Sequence, residues 1–226
     1  MNARSGASAQ EVAIAVGPVR LNGVLRKPHV AEGIVLFAHG SGSGRHSPRN
    51  IHVAERLGEA HFATLLFDLL TEQEEAVDSQ TAELRFDIPL LTARLVAATE
   101  WTLAQRSLKN LPIGYFGAST GAAAALSAAA RLDGVAAVVS RGGRPDLAGT
   151  ALPRVRAATL LIVGSDDHEV LALNRNALKH LRCEAKLEIV PGATHLFVEP
   201  GTLEQVANLA ADWFARHMRA PAAAGL

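Results

Sequence analysis

Short apolar runs alternate with longer stretches of helical periodicity along most of the chain. A run in which nearly every residue is apolar is typical of a strand that is buried on both faces of a sheet. We predict strands over residues 11–16, 19–25, 34–38, 63–67, 111–116, 135–139, 159–163 and 186–190. Because helical stretches separate the later strands, the pattern predicts an α/β fold with a mostly parallel central sheet and helices on both of its faces.

The predicted helices fill the intervals between these strands. The first begins at Pro48, a residue favoured at the first helical position, with Ser47 before it as N-cap. Helices are predicted over residues 48–61, 82–106, 122–132, 170–181 and 202–218. The acidic stretch 71–78 is predicted to be a loop. We expect one domain over residues 1–226, with frayed tails at 1–10 and 219–226.

Composition and charge exclude several classes of function. The 226 residues carry 22 basic and 22 acidic side chains, so no excess of positive charge indicates a nucleic-acid partner. No apolar run reaches the roughly 18 residues of a membrane span, and residues 1–10 lack the apolar segment of a signal peptide. Cys183 is the single cysteine, which excludes an internal disulfide. We expect a soluble, cytoplasmic protein with no nucleic-acid or membrane partner, and a homodimer is compatible with the sequence.

The most informative motif is Gly-Ala-Ser-Thr-Gly at residues 117–121. It matches G-x-S-x-G, in which a sharp strand-to-helix turn exposes a serine hydroxyl. The chain supplies a predicted strand before the motif and an alanine-rich helix after it. The serine of such a turn has a strained backbone, so small residues are needed two positions away on either side. We therefore predict that Ser119 is a nucleophile.

A nucleophilic serine needs a base to accept its proton and an acid to orient that base. Asp166 and Asp167 follow the predicted strand 159–163, and His195 follows the strand 186–190. Because the carboxyl ends of parallel strands meet at one edge of a sheet, these side chains are expected near Ser119. The residues alone leave both aspartates open as the acid.

The chain resembles the α/β-hydrolase superfamily over residues 21–217, and most closely its small dienelactone-hydrolase-like esterases. The acid of such proteins lies in a Gly-x-x-Asp-x-x-Val pattern, which residues 164–170 match with Asp167 as the acid. Their histidine lies in a Gly-x-x-His-x-Phe pattern, which residues 192–197 match with His195. The resemblance thus implies an α/β-hydrolase fold with the triad Ser119, Asp167 and His195.

One departure from this family concerns the nucleophile. Dienelactone hydrolases proper use a cysteine, whereas this chain has Ser119. The resemblance therefore implies a serine esterase that cleaves short-chain carboxylic esters of small molecules through an acyl-enzyme, without a cofactor or a metal. The segment 140–158, where related proteins insert a lid, is too short for a cap domain. The alternatives are a thioesterase or a cofactor-free perhydrolase of the same fold, and a binding domain without catalysis.

A glycine-rich run at residues 40–44 follows a buried strand and precedes a helix. A dinucleotide-binding loop requires a third glycine where this chain has Arg45 or Ser47, and a phosphate-binding P-loop requires a Gly-Lys pair that is absent. The run is closer to the loop that supplies an oxyanion-hole N–H. We expect the two donors to be the backbone N–H groups of Ser41 and Thr120, with Gly42 as an alternative to Ser41.

Several cationic side chains also follow predicted strands. They are Arg45, His46, Arg141 and Arg144. These residues either form a cationic entrance for an anionic substrate or are solvated charges on loops. We take Gly42, Arg45 and Arg141 as candidate substrate-binding residues. His39, next to the glycine-rich run, is expected to brace that loop.

Overall fold

The computed structural model describes residues 8–219, and eight strands build its central sheet. The strands are β1 (Ser8–Val16), β2 (Val19–Lys27), β3 (Gly33–Ala38), β4 (Phe62–Phe67), β5 (Ile113–Ala118), β6 (Val135–Arg141), β7 (Ala158–Gly164) and β8 (Ala185–Val190). They lie in the order β1-β2-β4-β3-β5-β6-β7-β8. β2 is antiparallel to both of its neighbours, and the other strands pair in parallel. The predicted mostly parallel sheet is confirmed, and the ends of β3 to β8 form what we call the carboxyl edge.

Within residues 8–219, five α-helices lie between strands and a sixth follows β8, and together they cover both faces of the sheet. They are α1 (Pro48–Glu59), α2 (Glu72–Thr81), α3 (Ile88–Ala104), α4 (Thr120–Ala129), α5 (His168–Leu178) and α6 (Thr202–Met218). Successive side chains of a strand point to opposite faces, so Leu36 packs with α3 and α4 whereas Phe37 packs with α1 and α6. No helix within residues 8–219 has both the length and the apolar character needed to cross a membrane.

The acidic segment after β4 differs from its prediction. The prediction of a loop over 71–78 was wrong, because α2 occupies most of this segment. Its start is a capping box: the Thr71 hydroxyl accepts from the Glu74 N–H at 3.2 Å, and the Glu74 carboxylate accepts from the Thr71 N–H at 2.7 Å. Three glutamates in the first turn also favour a helix N-terminus electrostatically. The capping residues therefore make this acidic stretch helical, although it has no apolar periodicity.

Other observed boundaries differ from the predicted ones by a few residues. The helix predicted over 82–106 begins only at Ile88, because the Asp87 side chain accepts from the Leu90 N–H at 2.9 Å and caps α3 there. β1 begins at Ser8, so residues 8–10 belong to a strand rather than to a frayed tail. Residues 1–7 and 220–226, the rest of the predicted tails, lie outside the described residues. Between β6 and β7 the chain forms a 3₁₀ segment, Pro145–Arg154, with a kink at Gly149.

The turn from β5 into α4 is packed without free space. A Cβ atom on Gly117 would lie 2.5 Å from the Ala122 Cα atom. A Cβ atom on Gly121 would overlap the carbonyl oxygens of Ala38 and His39, which end β3. The two glycines therefore let α4 begin directly beside the ends of β3 and β5.

Replacing Gly121 by alanine should destabilise the fold, because the added methyl group meets backbone atoms that cannot rotate away. We expect Gly121→Ala to lower the free energy of unfolding by roughly 1–3 kcal/mol. Gly58→Ala in α1 is the matched control, since nothing lies within 4 Å of a Cβ atom there. That variant should be neutral or more stable by up to about 1 kcal/mol. Urea unfolding curves measure both, and equal stability of the two variants would contradict the packing argument.

Candidate active site

Ser119 occupies the turn between β5 and α4 at the carboxyl edge. Its φ of +50° and ψ of −122° lie in a region that L-residues rarely adopt. Backbone hydrogen bonds hold it: the Ser119 N–H donates to the Arg141 carbonyl at 3.2 Å, and the Arg144 and Ala122 N–H groups donate to the Ser119 carbonyl at 3.0 and 3.1 Å. The residue is partly exposed. The end of β6 and the turn after it thus help to fix a strained serine at the edge of the sheet.

His195 and Asp167 form a short hydrogen bond at the same edge. The distance from His195 Nδ1 to Asp167 Oδ2 is 2.6 Å, and the Asp167 side chain is 13% exposed. A proton on Nδ1 donates to the carboxylate and leaves Nε2 free to accept another proton. The Asp166 carboxylate accepts from the Ser165 hydroxyl at 2.8 Å instead. The structure therefore brings Asp167, and not Asp166, to the histidine.

The loops that carry the acid and the histidine are joined through their backbones. The Ser165 N–H donates to the Val190 carbonyl at 2.9 Å, and the Asp166 N–H donates to the Ala193 carbonyl at 3.0 Å. A Cβ atom on Gly164 would overlap the Ala193 carbonyl, so this close approach requires glycine. The buried ring of Phe197, whose φ is +54°, anchors the far side of the histidine loop. These contacts therefore fix the acid loop and the histidine loop relative to each other.

The histidine loop also borders the chain segment that holds Ser119. A Cβ atom on Gly142 would lie 3.5 Å from the His195 ring, and Gly142 directly follows Arg141, the acceptor for the Ser119 N–H. Within residues 8–219, the hydrogen bonds of His195 include the one to Asp167 but none to the Ser119 hydroxyl. Catalytic hydrogen bonds are often long before substrate binds. Serine, histidine and aspartate thus border one short stretch of the carboxyl edge.

Asn174 supports this stretch and was missed by the sequence analysis. Its fully buried amide donates to the Gly143 carbonyl at 2.9 Å and to the Val170 carbonyl at 2.8 Å. These bonds fix the turn after β6 against α5. The available signal was a polar residue on the buried face of a helix four positions after Val170, since such a residue needs internal partners.

The glycine-rich run lies against the Ser119 turn. A Cβ atom on Gly40 would be 2.9 Å from the Ser119 Cβ atom. The Ser41 and Thr120 hydroxyl oxygens are 3.3 Å apart, so the loop and the first turn of α4 meet here. The first N–H groups of a helix have no acceptor within the helix, which leaves the Thr120 N–H available to an oxyanion.

His39 braces the same loop, as the sequence suggested. The Leu69 N–H donates to His39 Nε2 at 2.9 Å, so the ring proton is on Nδ1, which donates to the Gly40 carbonyl at 3.0 Å. Burial lowers the pKa of His39 below its ordinary value, which keeps the ring neutral near pH 7. A neutral imidazole can both accept and donate, and it joins the loop to the chain after β4.

Two of the cationic residues proposed from sequence have carboxylate partners. The Arg45 guanidinium pairs with Asp68, whose other oxygen accepts from the Arg45 N–H at 2.8 Å. The Arg144 guanidinium donates to both oxygens of Asp146, at 2.9 and 2.8 Å, and this pairing raises the pKa of Arg144. Both charges are therefore compensated within the chain.

Two cavities lie along the glycine-rich run. The larger has a volume of about 970 Å³ and is lined by Gly42, Arg45 and His46 among others. It lies beside Ser119 rather than over it, because neither Ser119 nor His195 lines it. The smaller, of about 10 Å³, is lined by Ser41 and Thr120 and shares Gly42 with the larger one. Within residues 8–219, no group of three or more His, Cys, Asp or Glu side chains is placed to hold a metal ion.

Two solved structures and one relative matched by sequence are similar to this chain. A dienelactone hydrolase from Anabaena variabilis is 56% identical, with a TM-score of 0.92 over 94% of this chain and 99% of that chain. Est1E from Butyrivibrio proteoclasticus has a TM-score of 0.73 at 16% identity, over 91% of this chain and 99% of that chain, a likeness of fold alone. A Mycobacterium tuberculosis protein named as a phosphoribosyl transferase is 56% identical over 218 residues.

That curated relative is much longer than this chain. The matched part covers 96% of this chain but 48% of the relative, so the chain spans about half the relative's length. The model of the dienelactone hydrolase family, by contrast, matches residues 21–219, which include both the Ser119 turn and the His195 loop. The chain therefore belongs to the dienelactone hydrolase family.

Proposed function

We propose that the chain is a serine hydrolase that cleaves short-chain carboxylic esters through an acyl-enzyme. The observation that carries this proposal is the 2.6 Å bond between His195 and Asp167 beside a serine held at positive φ. A structural histidine has no need of a strained serine nearby, whereas nucleophilic catalysis needs all three groups. Membership of the dienelactone hydrolase family supports a hydrolase.

The proposed mechanism moves one proton between the serine, the histidine and the leaving group. Ser119 Oγ attacks the ester carbonyl while His195 Nε2 takes its proton. The tetrahedral intermediate collapses, and His195 returns the proton to the departing alcohol. Water then attacks the acyl-enzyme with the same base, which releases the acid and restores Ser119. Asp167 holds the imidazole in the required tautomer and stabilises its charged form.

The oxyanion of both tetrahedral intermediates is assigned to the backbone N–H groups of Ser41 and Thr120. Donors that are fixed before the reaction stabilise developing charge without reorganisation. The loop of Ser41 is held by His39 and by its contact with Thr120, so it meets this requirement. The start of α4 adds a helix N-terminus beside the same oxygen.

The proposed preference for short acyl groups follows from the short connection between β6 and β7. Its 3₁₀ segment, Pro145–Arg154, has ten residues, which is too short for a cap domain. Without a cap, little apolar surface is present to bury a long acyl chain. The transferase name of the longer relative is not carried over to this chain, because the chain matches 48% of it. A thioesterase and a perhydrolase use the same triad, and a binding domain does not need it.

Removing the proposed nucleophile should abolish turnover without unfolding the protein. We expect Ser119→Ala to lower kcat on 4-nitrophenyl butyrate by about 10⁶-fold, because the triad acts as a unit. A fluorophosphonate probe should label the wild-type chain at Ser119 and leave the variant unlabelled. Ser165→Ala, directly after the end of β7, is the control, and the probe should still label this variant. A wild-type chain that resists the probe would favour the binding domain.

The two aspartates should differ in their effect on turnover. Asp167→Asn should lower kcat by about 10⁴-fold, because the amide no longer selects the tautomer of His195 that can accept a proton. Asp166→Asn is the matched control, since its carboxylate accepts from the neighbouring Ser165 hydroxyl and not from His195. We expect it to retain most of the wild-type rate. If Asp166→Asn proved the more damaging change, the assignment of the acid would be wrong.

Acyl length should decide the rate among simple esters. Each added methylene gains about 0.8 kcal/mol only where a surface is present to bury it. We therefore expect kcat/KM on 4-nitrophenyl esters to peak between acetyl and butyryl. Initial rates on the series up to palmitoyl measure this, and matched thioesters and a peracid assay separate the alternative reactions. A steady rise to palmitoyl would overturn the preference for short acyl groups.

A further inference from the structure

The strand β8 (Ala185–Val190) lies at one edge of the sheet. Its inner side pairs in parallel with β7, and within residues 8–219 no strand pairs with its outer side. The central strands are almost entirely buried, whereas five of the six residues of β8 are at least partly exposed. An uncovered edge presents backbone N–H and C=O groups that can pair with a strand of another chain.

The hydrogen bonds to β7 determine which backbone groups of β8 are directed outward. The Thr159 N–H donates to the Glu184 carbonyl at 2.8 Å, and the Ser165 N–H donates to the Val190 carbonyl at 2.9 Å. Because successive residues of a strand direct their backbone groups to alternate sides, the even-numbered residues of β8 face β7. The backbone groups directed away from the sheet are those of Ala185, Leu187 and Ile189.

The two charged side chains of β8 have opposite signs. Lys186 and Glu188 are two positions apart, so both lie on the same face of the strand. Their side chains are 61% and 29% exposed, and Lys186 Nζ lies 2.5 Å from Glu188 Oε1. Charges on an edge strand oppose pairing where like charges meet, and they favour pairing where opposite charges meet. The order of these two charges therefore selects among the possible pairings of β8.

A second copy of the chain has the complementary order of charges when its β8 runs antiparallel. A two-fold axis at Leu187 brings the outward-directed backbone groups of both strands together. The same axis places Lys186 opposite the partner's Glu188, and Glu188 opposite the partner's Lys186. A shift of the register by two residues would instead place two lysines or two glutamates opposite each other. The charges thus favour one register of the symmetric pair.

The other face of β8 provides apolar contacts in the same register. Leu187 packs, partly buried, against residues of β7 and α5. Ile189, on the same face, is 38% exposed. With the axis at Leu187, the two leucines lie opposite each other and Ile189 lies opposite the partner's Ala185. This pairing covers an isoleucine that the single chain leaves partly in water.

We propose that the chain forms a symmetric homodimer in which the β8 strands of two copies pair antiparallel and join their sheets into one. Three hydrogen-bonded residue pairs, centred on Leu187, alternate with two pairs of Lys186 and Glu188. An interface of this size is small, so we expect a dissociation constant on the order of 10 µM. The inference is independent of the proposed function, because no residue of β8 belongs to the proposed active site.

Reversing the charges tests the interface. Sedimentation velocity from about 1 to about 200 µM should show the wild-type chain change from monomer to dimer. Lys186→Glu and Glu188→Lys should each weaken association by at least about tenfold, since each places like charges opposite each other. Both substitutions together restore opposite charges and should restore association. Lys109→Glu, a reversal at an exposed lysine outside β8, is the matched control and should associate like the wild-type chain.

A proline tests the backbone pairing without a change of charge. Ile189→Pro removes an N–H that is directed away from β7, a position where an edge strand tolerates proline. The chain should therefore fold and remain a monomer over the whole concentration range. Melting temperatures at about 1 µM, where we expect the wild-type chain to be a monomer, check the folding of each variant. If a charge reversal does not fold, Ile189→Pro still decides the result.

Disulfide cross-linking tests the register. In a Cys183→Ser background, chains with Lys186→Cys should cross-link to chains with Glu188→Cys, because these positions lie opposite each other with Cα atoms about 4.5 Å apart. Cross-linking within either set alone would overturn the register. A wild-type chain that stays monomeric up to about 200 µM would overturn the dimer. A dimer that persists in Ile189→Pro and in both charge reversals would show that another surface forms it, and would also overturn the proposal.

Discussion

The close approach of β3, β5 and α4 is the constraint on which the rest of the site depends. Gly121 has no room for a side chain beside the end of β3, and Gly117 has none beside α4. A serine between them is forced to positive φ, a conformation that is tolerated only where the surroundings determine it. Backbone hydrogen bonds to the end of β6 and to the turn after it hold Ser119 in this conformation. Packing in the core of the sheet thus determines the position of the Ser119 hydroxyl group at its edge.

The other groups of the site reach the serine through loops that are short and tied to each other. The acid loop bonds to the histidine loop through backbone groups, and Gly164 permits their contact. Asn174 fixes the turn that separates the histidine ring from the serine. Because these contacts end on backbone groups, the side chains of Asp167 and His195 remain free for chemistry. This division explains why the Asp167 carboxylate is free to bond to His195 although Asp167 is also the N-cap of α5.

Much of this arrangement could be predicted from the sequence because its signals are local. Apolar runs predicted all eight strands, and the G-x-S-x-G pattern predicted a turn that glycine and serine spacing makes nearly obligatory. The choice of Asp167 over Asp166 depended on a resemblance, since both residues follow the same strand. The prediction of a loop over residues 71–78 was wrong, because capping at Thr71, and not apolar periodicity, stabilises the helix there. Asn174 and the pairing of Arg45 with Asp68 depend on contacts between distant segments, which no local pattern reports.

The pairing of charges at the carboxyl edge also cannot be read from a local sequence pattern. Arginines that follow strands look alike in the sequence, yet Arg45 and Arg144 use their guanidinium groups to fix loops through Asp68 and Asp146. Arg141 differs because its carbonyl is the acceptor for Ser119, while its buried Nε and Nη1 atoms have no hydrogen-bond partner within residues 8–219. A fold that needed only the backbone of this residue would be served as well by an apolar side chain, at lower cost in desolvation. Within the described residues, backbone pairing therefore accounts for the position of Arg141 but not for its guanidinium group.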